Sequence, residues 1–437
     1  MNYEEAIQFL ESFPNLDQKR LYQDAGTDFM TVEKMRSILT KMNNPQLGRK
    51  TVHVTGSKGK GSTATFIASA LNEADGPTSL FLCPHLISHT ERIYLNSERI
   101  KEEEFAKGLS EIQDALLKEH NESDPVAMFH VLIALFFHLS SQAKTNWQVL
   151  EVGLGGKNDA TSVFDQKEAA VFSPIHIEHR EFLGDTIESI TTNKSGIITQ
   201  NTNVVVASQE NDLVVATLRE KAKENNAAFV YVPYEYRLLD SKIENGSQSF
   251  SIEGPFGIER FQSSMLGIHQ AINIMTALAT LDQLGIKHES ALFNKGFSKI
   301  ALPGRFEIFS QNPLVIADGA HTPESASAVW ESVKRSFRFE KSIVILSVNK
   351  DKLVEELSER LLKHADLAIV TESQAKNAMD ARRLKEAVSK NSSVETIISP
   401  SIKLSIEKAL SVAGKNDLIL VCGSLYAASE VRALYNE

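Results

Sequence analysis

Residues 51–63 read Thr51-Val52-His53-Val54-Thr55-Gly56-Ser57-Lys58-Gly59-Lys60-Gly61-Ser62-Thr63. The β-branched run Thr51–Thr55 is a strand pattern, a glycine-rich turn follows, and Ser62–Glu73 carries helical spacing. Strand, glycine-rich turn and helix in that order suit a phosphate. Glycines let backbone N–H groups close on phosphate oxygens, and the helix N-terminus adds a favourable dipole. Lys60 is placed to neutralise the terminal phosphates, and the Ser62 hydroxyl to reach a magnesium ion. Val54 stands where the longer Walker-type loop has its first glycine, so the loop is a variant of that pattern.

Outward from this loop the chain alternates. Before it, Tyr3–Phe13 and Val32–Met42 have helical spacing, and Asn43-Asn44-Pro45 ends the second helix. After it come the short apolar runs Ser79–Leu82, Trp147–Leu150, Ala169–Phe172 and Val204–Ala207, separated by helical stretches such as Asp124–Leu139. Strands alternating with helices predict a doubly wound, mostly parallel sheet. Tyr231–Phe261 differs, with Gly and Ser turns between short alternating runs, and reads as a small antiparallel appendage. Near Leu302-Pro303-Gly304-Arg305 the α/β pattern restarts, with buried-strand runs at Leu314–Ala317, Ile343–Ser347, Leu367–Val370 and Leu418–Val421. Two α/β domains are therefore expected, residues 1–300 with the phosphate loop and residues 301–437 as a Rossmann-like second domain. Ligands in such sheets sit beyond the carboxyl ends of the strands, where Asp318, Asn349 and Gly423-Ser424 fall. These strand ends are expected to help build a shared cleft.

Composition narrows the class. A length of 437 residues is long for one core and comfortable for two domains. The net charge of −10 argues against a nucleic-acid partner, so anionic ligands would be met by local lysines and arginines. Only two cysteines occur, Cys83 and Cys422, which fits a reducing cytoplasm better than a disulfide framework. Residues 1–13 lack the apolar run of a signal peptide. The longest apolar run, Val126–Leu139, is broken by His130 and His138 and falls short of the roughly 18 residues of a membrane span. A cytoplasmic monomer with no membrane partner is expected.

Further motifs carry a specific resemblance. They are Thr27-Asp28-Phe29, Asn44-Pro45-Gln46, Pro84-His85-Leu86, Glu91-Arg92-Ile93, Glu151-Val152-Gly153-Leu154-Gly155-Gly156 and Asp159-Ala160-Thr161. Leu183-Gly184-Asp185-Thr186, Lys194-Ser195-Gly196-Ile197-Ile198, His269-Gln270 with Asn273, Pro303-Gly304-Arg305, Asp318-Gly319-Ala320-His321 and Gly423-Ser424-Leu425-Tyr426 follow. With the phosphate loop, in this order and over nearly the whole length, the chain resembles the folylpolyglutamate synthase/dihydrofolate synthase family of the Mur ligase superfamily.

The resemblance implies an ATP-dependent ligase. ATP would phosphorylate a carboxylate on a folate or dihydropteroate-type acceptor, and the amino group of L-glutamate would attack the acyl phosphate. It implies a nucleotide site of Gly56, Ser57, Lys58, Gly59, Lys60, Gly61, Ser62 and Thr63, with Asn273, Arg305 and Asp318. For magnesium it implies Ser62, Glu151, His179 and Lys194, the last carbamylated so that a cation becomes a carboxylate-like ligand. Asp159, Ala160, Thr161, His321 and Ser424 fall at substrate positions, and Lys60, Lys194, His179, Asp318 and His321 would carry the chemistry.

The chain departs from the family pattern at several places. Cys83 stands where a serine is usual, Lys157 where an arginine is usual, and Glu178 where an aspartate precedes the histidine. Leu302 replaces a tryptophan, Thr322 an asparagine, and Asn193 the glutamate before Lys194. These changes surround substrate and metal, so reaction class is better determined than substrate. Two other readings stand beside this one: a Mur-type ligase acting on another carboxylate, and a non-catalytic phosphate-loop protein. The first usually has an extra domain before the loop; the second leaves the motifs after residue 300 without a purpose.

Overall fold

The computed structural model describes residues 1–15, 32–121, 124–244, 247–300, 302–350, 354–375 and 377–436. The motif Thr27-Asp28-Phe29 lies outside them. The chain divides into two compact units, one of Met1–Leu239, Ile252–Phe261 and Ile272–Phe297, the other of Asp240–Ser251, Gln262–Ala271 and Ser298–Glu437.

The strands of the first unit are β1 (Lys50–Thr55), β2 (Thr78–Phe81), β3 (Ile93–Leu95), β4 (Glu98–Arg99), β5 (Trp147–Glu151), β6 (Ala169–Phe172), β7 (Asn203–Val206) and β8 (Ala228–Tyr231). They lie in the order β4-β3-β2-β5-β1-β6-β7-β8. The pairs β4-β3 and β3-β2 are antiparallel, and β1, β2, β5, β6, β7 and β8 run parallel. Strand β1 is central, with Val54 beside Glu151 of β5 and Thr55 beside Phe172 of β6. Its burial is complete from Thr51 onward, as expected of a strand covered on both faces. Everything that leaves its carboxyl end, the phosphate loop first, therefore emerges at the middle of the sheet.

The helix expected at Asp124–Leu139 begins later, at Met128, and runs to Gln142. The residue before Pro125 is pushed out of the helical region, which delays the start. The His130 ring then accepts a hydrogen bond from the Ala127 N–H and caps the first turn. Nearly the whole helix is buried, and its Val131, Leu135 and Phe136 pack with Phe81, Phe105 and Leu109.

Three strands, β9 (Arg237–Glu244), β10 (Ser247–Gly254) and β11 (Gly257–Ser263), form a separate sheet. Only Pro255-Phe256 joins β10 to β11, a link too short for a parallel crossover.

The second unit holds β12 (Glu307–Gln311), β13 (Leu314–Ala317), β14 (Ser342–Leu346), β15 (Leu367–Val370), β16 (Thr396–Ile398) and β17 (Leu418–Cys422), in the order β12-β13-β17-β14-β15-β16. Only β12 is antiparallel to its neighbour. Alternate residues go to opposite faces. Ile316, Val344, Leu346 and Leu420 enter one apolar cluster, and Val315, Ile345, Ile369 and Val421 another. Two covered faces explain why these strands read as unbroken apolar runs. Among the described residues no helix is long and apolar enough to cross a membrane.

Candidate active site

The phosphate loop is shaped by contacts that glycine alone permits. Gly56 has φ +146°, and a Cβ there would lie 2.0 Å from Ser173 Oγ. Gly59 has φ +81°, and its Cβ would lie 2.4 Å from Asn273 Oδ1. The loop is braced from the β6 side, where the Ser57 and Lys58 N–H groups donate to the Pro174 carbonyl at 2.8 and 3.2 Å. The Ser57 hydroxyl donates to the His176 carbonyl and accepts from the His176 N–H. The helix Lys60–Ala74 starts on this loop, and the first N–H groups of any helix have no intrahelical acceptor. They aim at the space above the loop, which suits an anion. Thr63 Oγ1 donates to Asn273 Oδ1 at 3.2 Å, so the structure brings Asn273 to the loop from 210 residues away.

Four charged side chains, Lys60, Glu151, Lys194 and Glu178, gather there. Lys60 Nζ folds back on the Gly56 carbonyl at 3.1 Å. Glu151, at the end of β5, is buried, and its Oε2 lies 3.0 Å from the position a Gly61 Cβ would take. That places its carboxylate beside the turn that carries Ser62. Lys194 is 1% exposed, and its Nζ donates to the Gly56 carbonyl at 2.7 Å and to Glu178 Oε1 at 3.0 Å. Burial lowers the Lys194 ammonium to about 8; Glu178 opposes that shift and Lys60 adds to it. Burial alone would raise the Glu178 carboxyl, but Lys60, Lys194 and His179 outweigh it and hold it at about 2. His179 begins a short helix with φ +47°, next to Glu178.

Sequence reading marked Glu178 only as a departure beside His179 and gave it no role. The signal was present, as the acid before His179, but its partner is 16 residues on and only the fold pairs them.

Other expected residues hold the frame. The buried Asp159 carboxylate accepts from the Leu154 and Thr161 N–H groups, both at 2.9 Å, and from the Thr161 hydroxyl. It staples the loop that leaves Glu151, with buried Ala160 between the two stapled residues. Burial raises the Asp159 carboxyl, against these hydrogen bonds. In the second unit, Asp318 at the end of β13 accepts from the Phe306 and Ala320 N–H groups, both at 2.8 Å. Arg305 thereby sits in a tight turn between Gly304 at φ +68° and Phe306 at φ +52°, beside a cavity of about 370 Å³. His269 is buried near both; burial draws its ring down, Asp318 opposes that and Arg305 adds to it. His321 Nδ1 lies 2.9 Å from the Gly319 carbonyl, and the Ser424 hydroxyl accepts from the Ala427 N–H, capping the last helix.

A Mur ligase middle domain matches residues 54–281, and a Mur ligase glutamate ligase domain matches residues 304–425. The chain belongs to the folylpolyglutamate synthase/dihydrofolate synthase family of Mur ligases. It is 27% identical over 412 residues to the dihydrofolate synthase/folylpolyglutamate synthase of Bacillus subtilis, covering 91% of this chain and 93% of that one. A probable bifunctional folylpolyglutamate synthase/dihydropteroate synthase of Halobacterium salinarum is 30% identical over 434 residues; the chain spans about half of it, 51%. The folylpolyglutamate synthase of Mycobacterium tuberculosis complexed with ADP superposes with a TM-score of 0.89 at 26% identity, covering 99% of both chains. The expected fold, two α/β domains with mostly parallel sheets, is the one observed.

The donors by the loop also suit the metal this family implies. Among the described residues no group of three or more His, Cys, Asp and Glu is placed to share an ion. The loop instead offers the Ser62 hydroxyl and the Glu151 carboxylate. Magnesium is commonly held by one or two such hard oxygens, with phosphates and water filling its remaining positions, and this set fits it.

Proposed function

We propose that this protein joins L-glutamate to the carboxylate of a folate or dihydropteroate-type acceptor, using ATP and passing through an acyl phosphate. The observation that carries it is the convergence of Lys60, Lys194, Glu151 and Glu178 on one glycine-lined phosphate loop, in a chain of this family. Phosphoryl transfer asks the protein chiefly for positioning and charge stabilisation. Lys60 would leave the Gly56 carbonyl and follow the transferred phosphoryl group. The helix N-terminus would hold the phosphates, and Asn273 would shape the loop around them. Ser62 and Glu151 would hold magnesium, which supplies charge neutralisation for the phosphates when bound. His179 and a carbamylated Lys194 would hold a second ion near the acceptor carboxylate.

In the same proposal residues 1–300 form the ATP-binding domain and 301–437 the glutamate-ligase domain. Arg305 and Asp318 serve nucleotide, His321 and Ser424 serve substrate, and the protein works as a cytoplasmic monomer. The test is ADP release from the purified protein. Release that needs both a pteroate-type acceptor and glutamate supports the proposal. Release with another acceptor alone, or none at all, removes it.

Cys83 gives a narrower expectation. Its N–H donates to Glu151 Oε2 at 2.9 Å, and its sulfur accepts from Arg92 Nη1 at 3.2 Å. A thiol is a poor neighbour for magnesium, so Cys83→Ser lowers the magnesium concentration needed for half-maximal rate. A magnesium titration of ADP release checks this. An unchanged midpoint would make the sulfur a partner of Arg92 only.

A further inference from the structure

The central strand carries a buried polar line that the phosphate chemistry does not use. Thr51, His53 and Thr55 point to one face of β1, and all are fully or almost fully buried. Thr55 Oγ1 donates to the Gly155 carbonyl at 2.7 Å. His53 Nε2 lies 2.7 Å from Thr161 Oγ1, and on the ring's other side Lys167 Nζ lies 3.0 Å from Nδ1. The Thr161 hydroxyl continues to Asp159 Oδ1. A contiguous chain thus runs from Lys167, just before β6, through the middle of the sheet to the corner Asp159–Thr161.

Its hydrogens have one consistent direction. An ammonium has only hydrogens to give, so Lys167 donates to His53 Nδ1. The ring then keeps its hydrogen on Nε2 and donates it to Thr161, whose own hydrogen goes to the carboxylate. Burial lowers the Lys167 ammonium to about 7, and a neutral amine could give or accept; the Asp159 carboxylate, which takes the Thr161 hydrogen, then fixes the same direction from the other end. Burial, and then the charge of Lys167, keep the His53 ring neutral, its pKa well below the ordinary value. Buried polar chains with every member satisfied are stiff, and an unpaired member is costly.

We propose that Lys167 and His53 are positioning residues for the folate-type acceptor: through Thr161 they lock the Asp159–Thr161 corner against the central strand. This rests on the functional reading above, together with the family resemblance that puts Asp159, Ala160 and Thr161 at substrate positions. Among the described residues neither forms a hydrogen bond to the phosphate loop, so their loss should separate acceptor binding from nucleotide binding.

The experiment is steady-state kinetics of Lys167→Met, which removes the donor, beside Lys167→Gln, which keeps an N–H without charge. Lys167→Met raises the acceptor KM about tenfold, the lower end of what outer-shell supports of a site are worth, with kcat and the ATP KM within about twofold. Lys167→Gln recovers most of the change. An unaltered acceptor KM, or acceptor and ATP constants rising together, overturns the proposal. Should Lys167→Met fail to fold, ¹⁵N-histidine NMR of the unaltered protein decides at pH 6. The His53 ring, identified by its proximity to the Thr161 methyl group, carries its hydrogen on Nε2; a hydrogen on Nδ1 breaks the chain and the proposal. If the unaltered protein turns over no folate-type acceptor, the functional reading fails, whereas turnover with an indifferent Lys167→Met sinks this inference alone.

Discussion

Lys60→Ala lowers ligase turnover by about 10²- to 10³-fold, the usual loss when one preorganised charge aimed at a transition state is removed. Among the described residues the side chain bonds only loop carbonyls, at Gly56 and Ser57, and it is not part of an apolar core. Circular dichroism and the thermal transition should therefore remain close to those of the unaltered protein. A second effect follows from its charge. Lys60 is the strongest of the cations that hold the Glu178 carboxyl at about 2 against its burial. Without it that carboxylate keeps Lys194 and His179 as neighbours, so it stays ionised at neutral pH and the site does not collapse. Near-normal turnover in Lys60→Ala, at saturating ATP, acceptor and glutamate, removes the loop from the chemistry.

The parts legible in the sequence were those with local causes. The β-branched run before Gly56 and the apolar runs at Trp147, Ala169, Leu314 and Leu418 each became a strand, because a strand covered on both faces must be apolar throughout. The strands that gave no signal are at or near the edges. Glu98–Arg99 is two exposed residues, Glu307–Gln311 is half-exposed along most of its length, and Thr396–Ile398 is three residues long. Their pairing supplies what their composition does not.

The same division holds in the site. Gly56 to Ser62 are neighbours in sequence, so their joint purpose could be read there. Glu178 with Lys194, and Lys167 with His53 and Thr161, are brought together only by which loops leave adjacent strands. Asp159 differs again, for its motif is local in sequence, yet its oxygens accept from Leu154 and Thr161. A residue type suited to a ligand can instead hold the loop that meets one.

Lys194→Ala loses activity by about 10- to 100-fold or more, as supporting and ligating groups of a metal site do. What the loss means depends on which form of the side chain works. A carbamate needs a neutral amine to meet carbon dioxide. At about 8 the Lys194 amine is neutral in roughly one molecule in eleven at pH 7, whereas an ordinary lysine at 10.5 is neutral in about one in three thousand. Burial thus makes the modification accessible at neutral pH, and the Glu178 carboxylate, with a smaller contribution from Asp159, opposes it. Truncation to alanine leaves a space between Gly56 and Glu178 that a small solute can enter. If the working form is the carbamate, an anion and oxygen donor, acetate restores part of the rate and ethylammonium does not. If the working form is the plain ammonium seen paired with Glu178, the order of rescue reverses. Ligase turnover of Lys194→Ala, measured with each solute at matched ionic strength, distinguishes the two. Full activity with neither would place Lys194 outside the reaction and leave it as a buried tie between Gly56 and Glu178.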